Sequence, residues 1–193
     1  MTKVMLTGFE PFAKATLNPS REIVKQIKGD NIVTAILPVA YAQSAEALLA
    51  LIEYHKPDVV ICLGQAEGRT QITPERIAIN LDDARLADNE GVVRNNLPII
   101  VNGPTTYEST LPVEEFVRAI NEVGVPAAVS LSAGTFLCNH IFYLAQDRLK
   151  GTKVRSGFVH VPLMDEQAGE FPGLPTMPLD QMVKAVRTML EVL

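Results

Sequence analysis

Ala127-Ala-Val-Ser-Leu131 runs directly into Ser132-Ala-Gly-Thr-Phe-Leu-Cys-Asn139, an apolar, strand-like stretch followed by small residues and then a helical pattern. Strand, tight turn and helix start form the repeating unit of open α/β sheets. The same order sets Cys138 where backbone N–H groups and the positive end of a helix dipole converge. That setting favours a thiolate and can hold the anion formed when sulfur attacks a carbonyl. A free Cys is commonly a small buried hydrophobe. Cys62, inside Val59-Val-Ile-Cys-Leu63 with no evident charge partner, fits that description; Cys138 read alone could fit it equally, and its setting is what makes it a candidate nucleophile.

On the N-terminal side the alternation repeats. Val4-Met-Leu6 reads as a buried strand ending at Thr7-Gly8, and Pro19-Ser20 opens a helix that runs to Lys28 and stops at Gly29-Asp30. Ile32 to Val39 is rich in β-branched residues and reads as a strand. Ala45, Leu48, Leu49 and Ile52 follow helical spacing in a segment that starts near Ser44 and closes before Pro57. Asp58 to Leu63, then Gly64, repeats the strand-and-turn pattern, and Arg76 to Asn80 alternates as a half-buried strand does. The polar stretch from Asp82 to about Thr110, broken only by the short apolar run Ile99-Ile-Val101, is a long excursion with room for a hairpin, and excursions of that length usually serve function.

Val113, Phe116, Val117 and Ile120 then mark an amphipathic helix. On the C-terminal side, the helix carrying Cys138 should end near Lys150-Gly151, Gly157 to Pro162 reads as a strand, and Met182, Val186, Met189, Leu190 and Leu193 line a closing helix. Uniformly apolar strands alternating with helices predict a three-layer α/β/α sandwich with a central, twisted, largely parallel sheet. No repeat or linker divides the sequence, so a single domain over residues 1–193 is expected.

An apolar fraction of 47%, a charged fraction of 20% and a net charge of −5 describe an ordinary globular chain without a basic footprint for nucleic acid. Nothing approaches the length of a membrane span, and Lys3 leads straight into a strand rather than an apolar signal core. The expectation is a cytoplasmic protein with two free thiols, no nucleic-acid partner and no membrane partner. Gly64-Gln-Ala-Glu-Gly68 carries neither a Walker nor a dinucleotide fingerprint, and the three histidines form no ligand motif, so neither cofactor nor metal is expected.

A thiol nucleophile needs a base. His140 lies two positions beyond Cys138 on one helix and points about 200° away around its axis. His55 sits at a helix end, where a cation interacts well with the dipole. His160, in Phe158-Val-His-Val-Pro162 near the carboxyl end of a late strand, lies where open α/β sheets bind ligands and is the base by elimination. Read alone, it could equally be a core histidine. Composition cannot pick the orienting third group from 22 acidic residues; Glu75 is attractive at its loop-to-strand junction, although a surface glutamate paired with arginine is the commoner arrangement.

Three segments together resemble the pyroglutamyl peptidase I (pyrrolidone-carboxylate peptidase) family. They are Leu6-Thr-Gly-Phe-Glu-Pro-Phe12 with Asn18-Pro-Ser20, Gly68-Arg-Thr-Gln-Ile-Thr-Pro-Glu-Arg-Ile-Ala-Ile-Asn80 with Asp82-Asp-Ala-Arg85, and Ser132 to Asn139 with Phe158 to Pro162 behind it. The resemblance implies a cysteine peptidase that removes an N-terminal pyroglutamyl residue from peptides through a thioester acyl-enzyme. It places the family's Glu–Cys–His triad on Glu75, Cys138 and His160. It further implies that Phe9 and Phe12 hold the lactam ring, that Gln65 lies near the site, that Arg85 lies near the oxyanion, and that the protein forms a homotetramer. Ala13-Lys14-Ala15 and Glu67 depart from the family's usual glycines and small residue, which bears on loop opening and on the preferred leaving peptide rather than on the reaction.

Overall fold

The computed structural model describes residues 1–13 and 15–193; Lys14, part of one departure noted above, lies outside the described residues. In chain order the elements are β1 (Val4–Phe9), α1 (Pro19–Gln26), β2 (Ile32–Leu37), α2 (Tyr41–His55), β3 (Val59–Gln65), β4 (Thr73–Pro74), β5 (Ile77–Ile79), β6 (Thr106–Glu108), α3 (Val113–Glu122), α4 (Leu137–Leu149), β7 (Arg155–Val161), β8 (Leu163–Met164), β9 (Thr176–Met177) and α5 (Leu179–Val192). The main sheet runs β2-β1-β3-β7-β4. Its first four strands are parallel, and the short β4 joins β7 antiparallel. The expected mixed, mostly parallel sheet between helical layers is therefore what the chain forms.

Alternation along the central strands builds both layers. Val4, Leu6, Val59, Ile61, Leu63, Val159 and Val161 face one way, into a core completed by Ile23 and Ile27 of α1, Phe116 and Ile120 of α3, and Met182, Val186 and Met189 of α5. Met5, Val60, Cys62 and Phe158 face the other way, against Leu48 and Ile52 of α2 and Ile141, Phe142 and Tyr143 of α4. Strands buried on both faces read as continuous apolar runs for this reason. Their wholly buried side chains supply the main stabilisation, each worth roughly 1.5–3 kcal/mol relative to exposure.

The ends of the helices follow from local chemistry. Asn18 caps α1 by accepting from the Ser20 amide, with Pro19 in the first turn. Pro112 precedes α3, which carries Glu114 and Glu115 in its first turn. Lys56, in the left-handed region at φ 47°, ends α2 ahead of Pro57.

Locally the structure departs from the sequence reading in places and adds to it in others. The run 127–131 is not a strand: only Ala127 and Ser130 form isolated bridges, to Ile72 and Glu75 beside the two-residue β4. The excursion is closed at its base by the antiparallel β5–β6 pair and by an inner bridge between Asp82 and Leu97, with no strand over Ile99–Val101. Beyond β7, a small parallel pair, β8–β9, flanks a 3₁₀ turn over Asp165–Gln167. Among the described residues no helix is long and apolar enough to cross a membrane.

Candidate active site

The carboxyl ends of β1, β3 and β7 converge at one rim, and each delivers a residue that the sequence singles out. These are Phe9, Gln65 and His160. A pocket of about 280 Å³ opens there, walled by Phe9, Phe12, Asn18, Gln65, Phe136 and Cys138 among others. Apolar walls with a few converging polar groups are what a small, uncharged ligand requires.

The Phe9–Phe12 loop is held from behind by the sequence that follows it. Asn18 Nδ2 donates to the Glu10 carbonyl, and the Ser20 hydroxyl accepts from the Phe9 amide at 2.9 Å. Glu10 accepts from the Val39 amide and from Asn89 Nδ2. Phe9 is almost wholly buried at the pocket floor, whereas Phe12 is half-buried, its ring 5.2 Å from that of Phe136. Gln65 Oε1 accepts from Gln167 Nε2 at 2.9 Å, which fixes the orientation of the Gln65 amide on the pocket wall.

Cys138 is the second residue of α4, half-buried at the pocket wall. Phe136 caps that helix without a side-chain hydrogen bond, so its first-turn amides remain available to an anion. Cys62 and Phe158 are register partners on β3 and β7, and so, two residues on, are Gly64 and His160. All four therefore project to the face on which α4 lies. Gly64 makes room for the nucleophile: a Cβ there would stand 2.9 Å from Cys138 Sγ and 2.7 Å from Phe158 Cζ. The thiol thus rests against the end of β3, beside the strand position that carries His160.

His160 Nδ1 lies 2.7 Å from Glu75 Oε1, and both side chains are buried. Glu75 reaches it from the residue just after β4, where its own amide donates to the Phe158 carbonyl. Arg69 Nη1 donates to the same Oε1 at 2.8 Å, and Arg69 Nη2 donates to the Ser132 carbonyl at 2.9 Å. Burial pushes His160 below its ordinary value, against the opposing pull of Glu75. Burial likewise pushes the Cys138 thiol up to about 12, the Glu75 charge adding to it while Arg69 and the Cys138 amide oppose. Burial thus opposes the thiolate that the helix start favours, and it also disfavours the charged imidazole.

Residues that sequence reading set aside or missed also have clear places. His140 points away from this centre, as its helical spacing requires, with Nδ1 2.9 Å from Asp82 Oδ2. Asp82 is wholly buried and also accepts from Arg94 Nη1 at 2.7 Å, and Arg94 lies over the Tyr41 ring. Tyr41 in turn packs edge-on against Phe136, so the excursion braces the pocket wall. Arg85 is exposed, makes no hydrogen bond to a described residue, and adjoins the pocket through its neighbour Leu86. Glu67 lines the rim. Among the described residues no group of three or more His, Cys, Asp or Glu side chains could hold a metal ion.

Comparison with known proteins follows the same lines. A family model described as pyroglutamyl peptidase matches residues 2–193. A pyrrolidone-carboxylate peptidase of Vibrio vulnificus is 46% identical over 98% of this chain and 92% of its own. One of Bacillus licheniformis is 47% identical over 96% and 89%. Among solved structures, the crystal structure of Bacillus amyloliquefaciens pyroglutamyl peptidase I superposes with a TM-score of 0.94 at 42% identity, covering 98% of this chain and 95% of the other. A mutant pyrrolidone carboxyl peptidase from the hyperthermophile Pyrococcus furiosus gives 0.91 at 39% identity, with 98% and 96% covered.

Proposed function

The chain belongs to the pyroglutamyl peptidase family and is a hydrolase of the pyroglutamyl peptidase I kind, and we propose that Cys138, His160 and Glu75 carry out its reaction through a thioester. The observation that carries this reading is the His160–Glu75 pair, buried at the strand rim where the Cys138 thiol meets the pocket.

Glu75 accepts the Nδ1–H of His160, which leaves Nε2 as the basic nitrogen. Nε2 takes the Cys138 proton as Sγ attacks the carbonyl carbon of the pyroglutamyl residue. The tetrahedral oxyanion is held by the free amides at the start of α4. Collapse breaks the amide bond, the imidazolium protonates the leaving amine, and a pyroglutamyl thioester remains on Cys138. Water, deprotonated by His160, then attacks the thioester and releases pyroglutamate and the free thiol.

The lactam ring lies between Phe9 and Phe12, with its polar edge toward Gln65. A pocket that pairs the lactam N–H and C=O rejects proline, which would leave those polar partners unpaired. Arg85 reaches the oxyanion only if its loop folds inward on binding. The reaction occurs on peptides with an N-terminal pyroglutamate, in a single cytoplasmic domain spanning residues 1–193. Val92, Val93, Leu97 and Val101 expose 43–73% of their surface on the excursion, and this apolar set suits a contact within a homotetramer. Light scattering on the eluted protein tests that state, and a monomer at micromolar concentration would reject it.

Release of a fluorescent amine from an L-pyroglutamyl amide, beside prolyl and alanyl amides, tests the function. Turnover confined to the pyroglutamyl amide supports it. A folded protein inert toward that amide refutes it.

A further inference from the structure

We propose that Arg69 is a positioning residue that couples the Glu75 carboxylate behind His160 to the backbone turn leading into Cys138. The inference rests on the triad reading above. Arg69 follows Gly68, whose φ of +79° starts the descent of the β3–β4 loop toward β4. From there one guanidinium spans two structures. Nη1 donates to Glu75 Oε1 at 2.8 Å and also to the Thr73 hydroxyl, and Nη2 donates to the Ser132 carbonyl at 2.9 Å. Thr73 itself lies against the His160 carbonyl at 3.4 Å. Ser132 begins the turn that ends in Phe136 and Cys138.

The carboxylate depends on this fork. Glu75 has no solvent exposure and its Oε2 has no partner among the described residues, so both side-chain bonds described for it fall on Oε1, one from His160 and one from Arg69. A buried charge is costly unless it is paired and hydrogen-bonded, and Arg69 supplies that partner. Arg69 retains 26% exposure and caps it from the solvent side. The charged groups that act on His160 are thus Glu75 and Arg69, and Arg69 acts against a second positive charge on the imidazole. The planar fork matters as much as the charge, because an ammonium cannot hold two acceptors at that fixed spread.

The test compares full-length wild type with Arg69→Lys and Arg69→Met. Two pH profiles are recorded: kcat/KM on the pyroglutamyl amide, and the alkylation rate of Cys138 by iodoacetamide, with Cys62 wholly buried and silent. Removing the cation should raise the acid limb of both profiles by about one pH unit in Arg69→Met. Arg69→Lys should keep the wild-type limb and lose about tenfold in kcat through the Ser132 contact. Limbs that coincide for Arg69→Met and wild type would overturn the proposal. If circular dichroism finds Arg69→Met unfolded, Arg69→Lys decides, and wild-type kcat in that variant overturns it. If wild type fails to cleave the amide, the triad reading fails separately, and the alkylation limb alone still supports or refutes the coupling.

Discussion

His160 Nδ1 lies 2.7 Å from Oε1 of Glu75, a carboxylate with no access to solvent. In the mechanism proposed above, the pair holds the neutral imidazole with its proton on Nδ1 and steadies the imidazolium that forms when the thiol gives up its proton. Glu75→Gln keeps the size of the side chain but can present an N–H to Nδ1 and reverse the tautomer. Steady-state assays should find kcat lowered by about 10³–10⁴-fold, with melting largely retained. A loss below tenfold would remove Glu75 from the reaction.

Burial lowers the His160 pKa, so the base stays neutral to more acidic pH than an ordinary histidine. The rate should rise with pH along a limb whose midpoint lies below about 6.5 and then level off. Stability follows the same sign. Above the unfolded-state value neither state binds the proton. As pH falls from there toward the folded value, the unfolded chain binds it first and the fold loses stability. A kcat/KM profile and urea midpoints between pH 5 and 8 check both statements.

Cys62 carries the opposite sign on the alkaline side. Its thiol, buried between the sheet and the α2–α4 layer, is pushed up to about 11 from an ordinary value of 9.0, chiefly by burial. Stability should fall as pH rises from about 9 to 11, because the unfolded thiol ionises first, by on the order of 2 kcal/mol. Urea titrations of wild type and Cys62→Val at pH 8 and 10.5 measure the difference; equal alkaline losses in the two proteins contradict it.

Gly64 lacks a side chain for a reason specific to this site. The methyl of Gly64→Ala would meet Cys138 Sγ at 2.9 Å and the wholly buried Phe158 ring at 2.7 Å, so the nucleophile must shift. The variant should fold with a loss of about 1–3 kcal/mol. Its kcat should drop on the order of 100-fold, because a displacement near 1 Å at the nucleophile is enough. Parallel melting and kinetics separate the two effects.

Phe12 is the pocket's adaptable wall, half-buried and in contact with Phe136. Phe12→Ala should raise KM about tenfold and change kcat less, since the ring contributes binding common to ground and transition states. A variant with wild-type KM would place the lactam elsewhere.

Which parts of this site the sequence reveals depends on how local each signal is. Cys138 stands out because a strand-like run, small residues and a helix start are contiguous in the sequence, and His160 because an apolar run marks its strand. The distance between partners hides the rest: Glu75 meets His160 across 85 positions, and Arg69 meets Ser132 across 63. No periodicity encodes such a meeting, and Glu75 is marked only by its loop-to-strand junction and by the family resemblance. Asp82 is hidden likewise, its bond to His140 spanning 58 positions. The upward pull of burial on the Cys138 thiol is illegible for another reason: helix-start polarity can be read from a pattern, while burial depends on which strands come to surround it. Among the folding elements, the run 127–131 is strand-like in composition but lies beside a two-residue β4, which gives it too short an edge for a full ladder.

The measurement that bears most directly on the account is mass analysis of the enzyme quenched in acid during turnover of an L-pyroglutamyl amide. The account predicts one added pyroglutamyl group, mapped to the peptide containing Cys138 and absent from Cys138→Ser. Turnover without such an adduct in rapidly quenched samples, or persisting in Cys138→Ser, would contradict it.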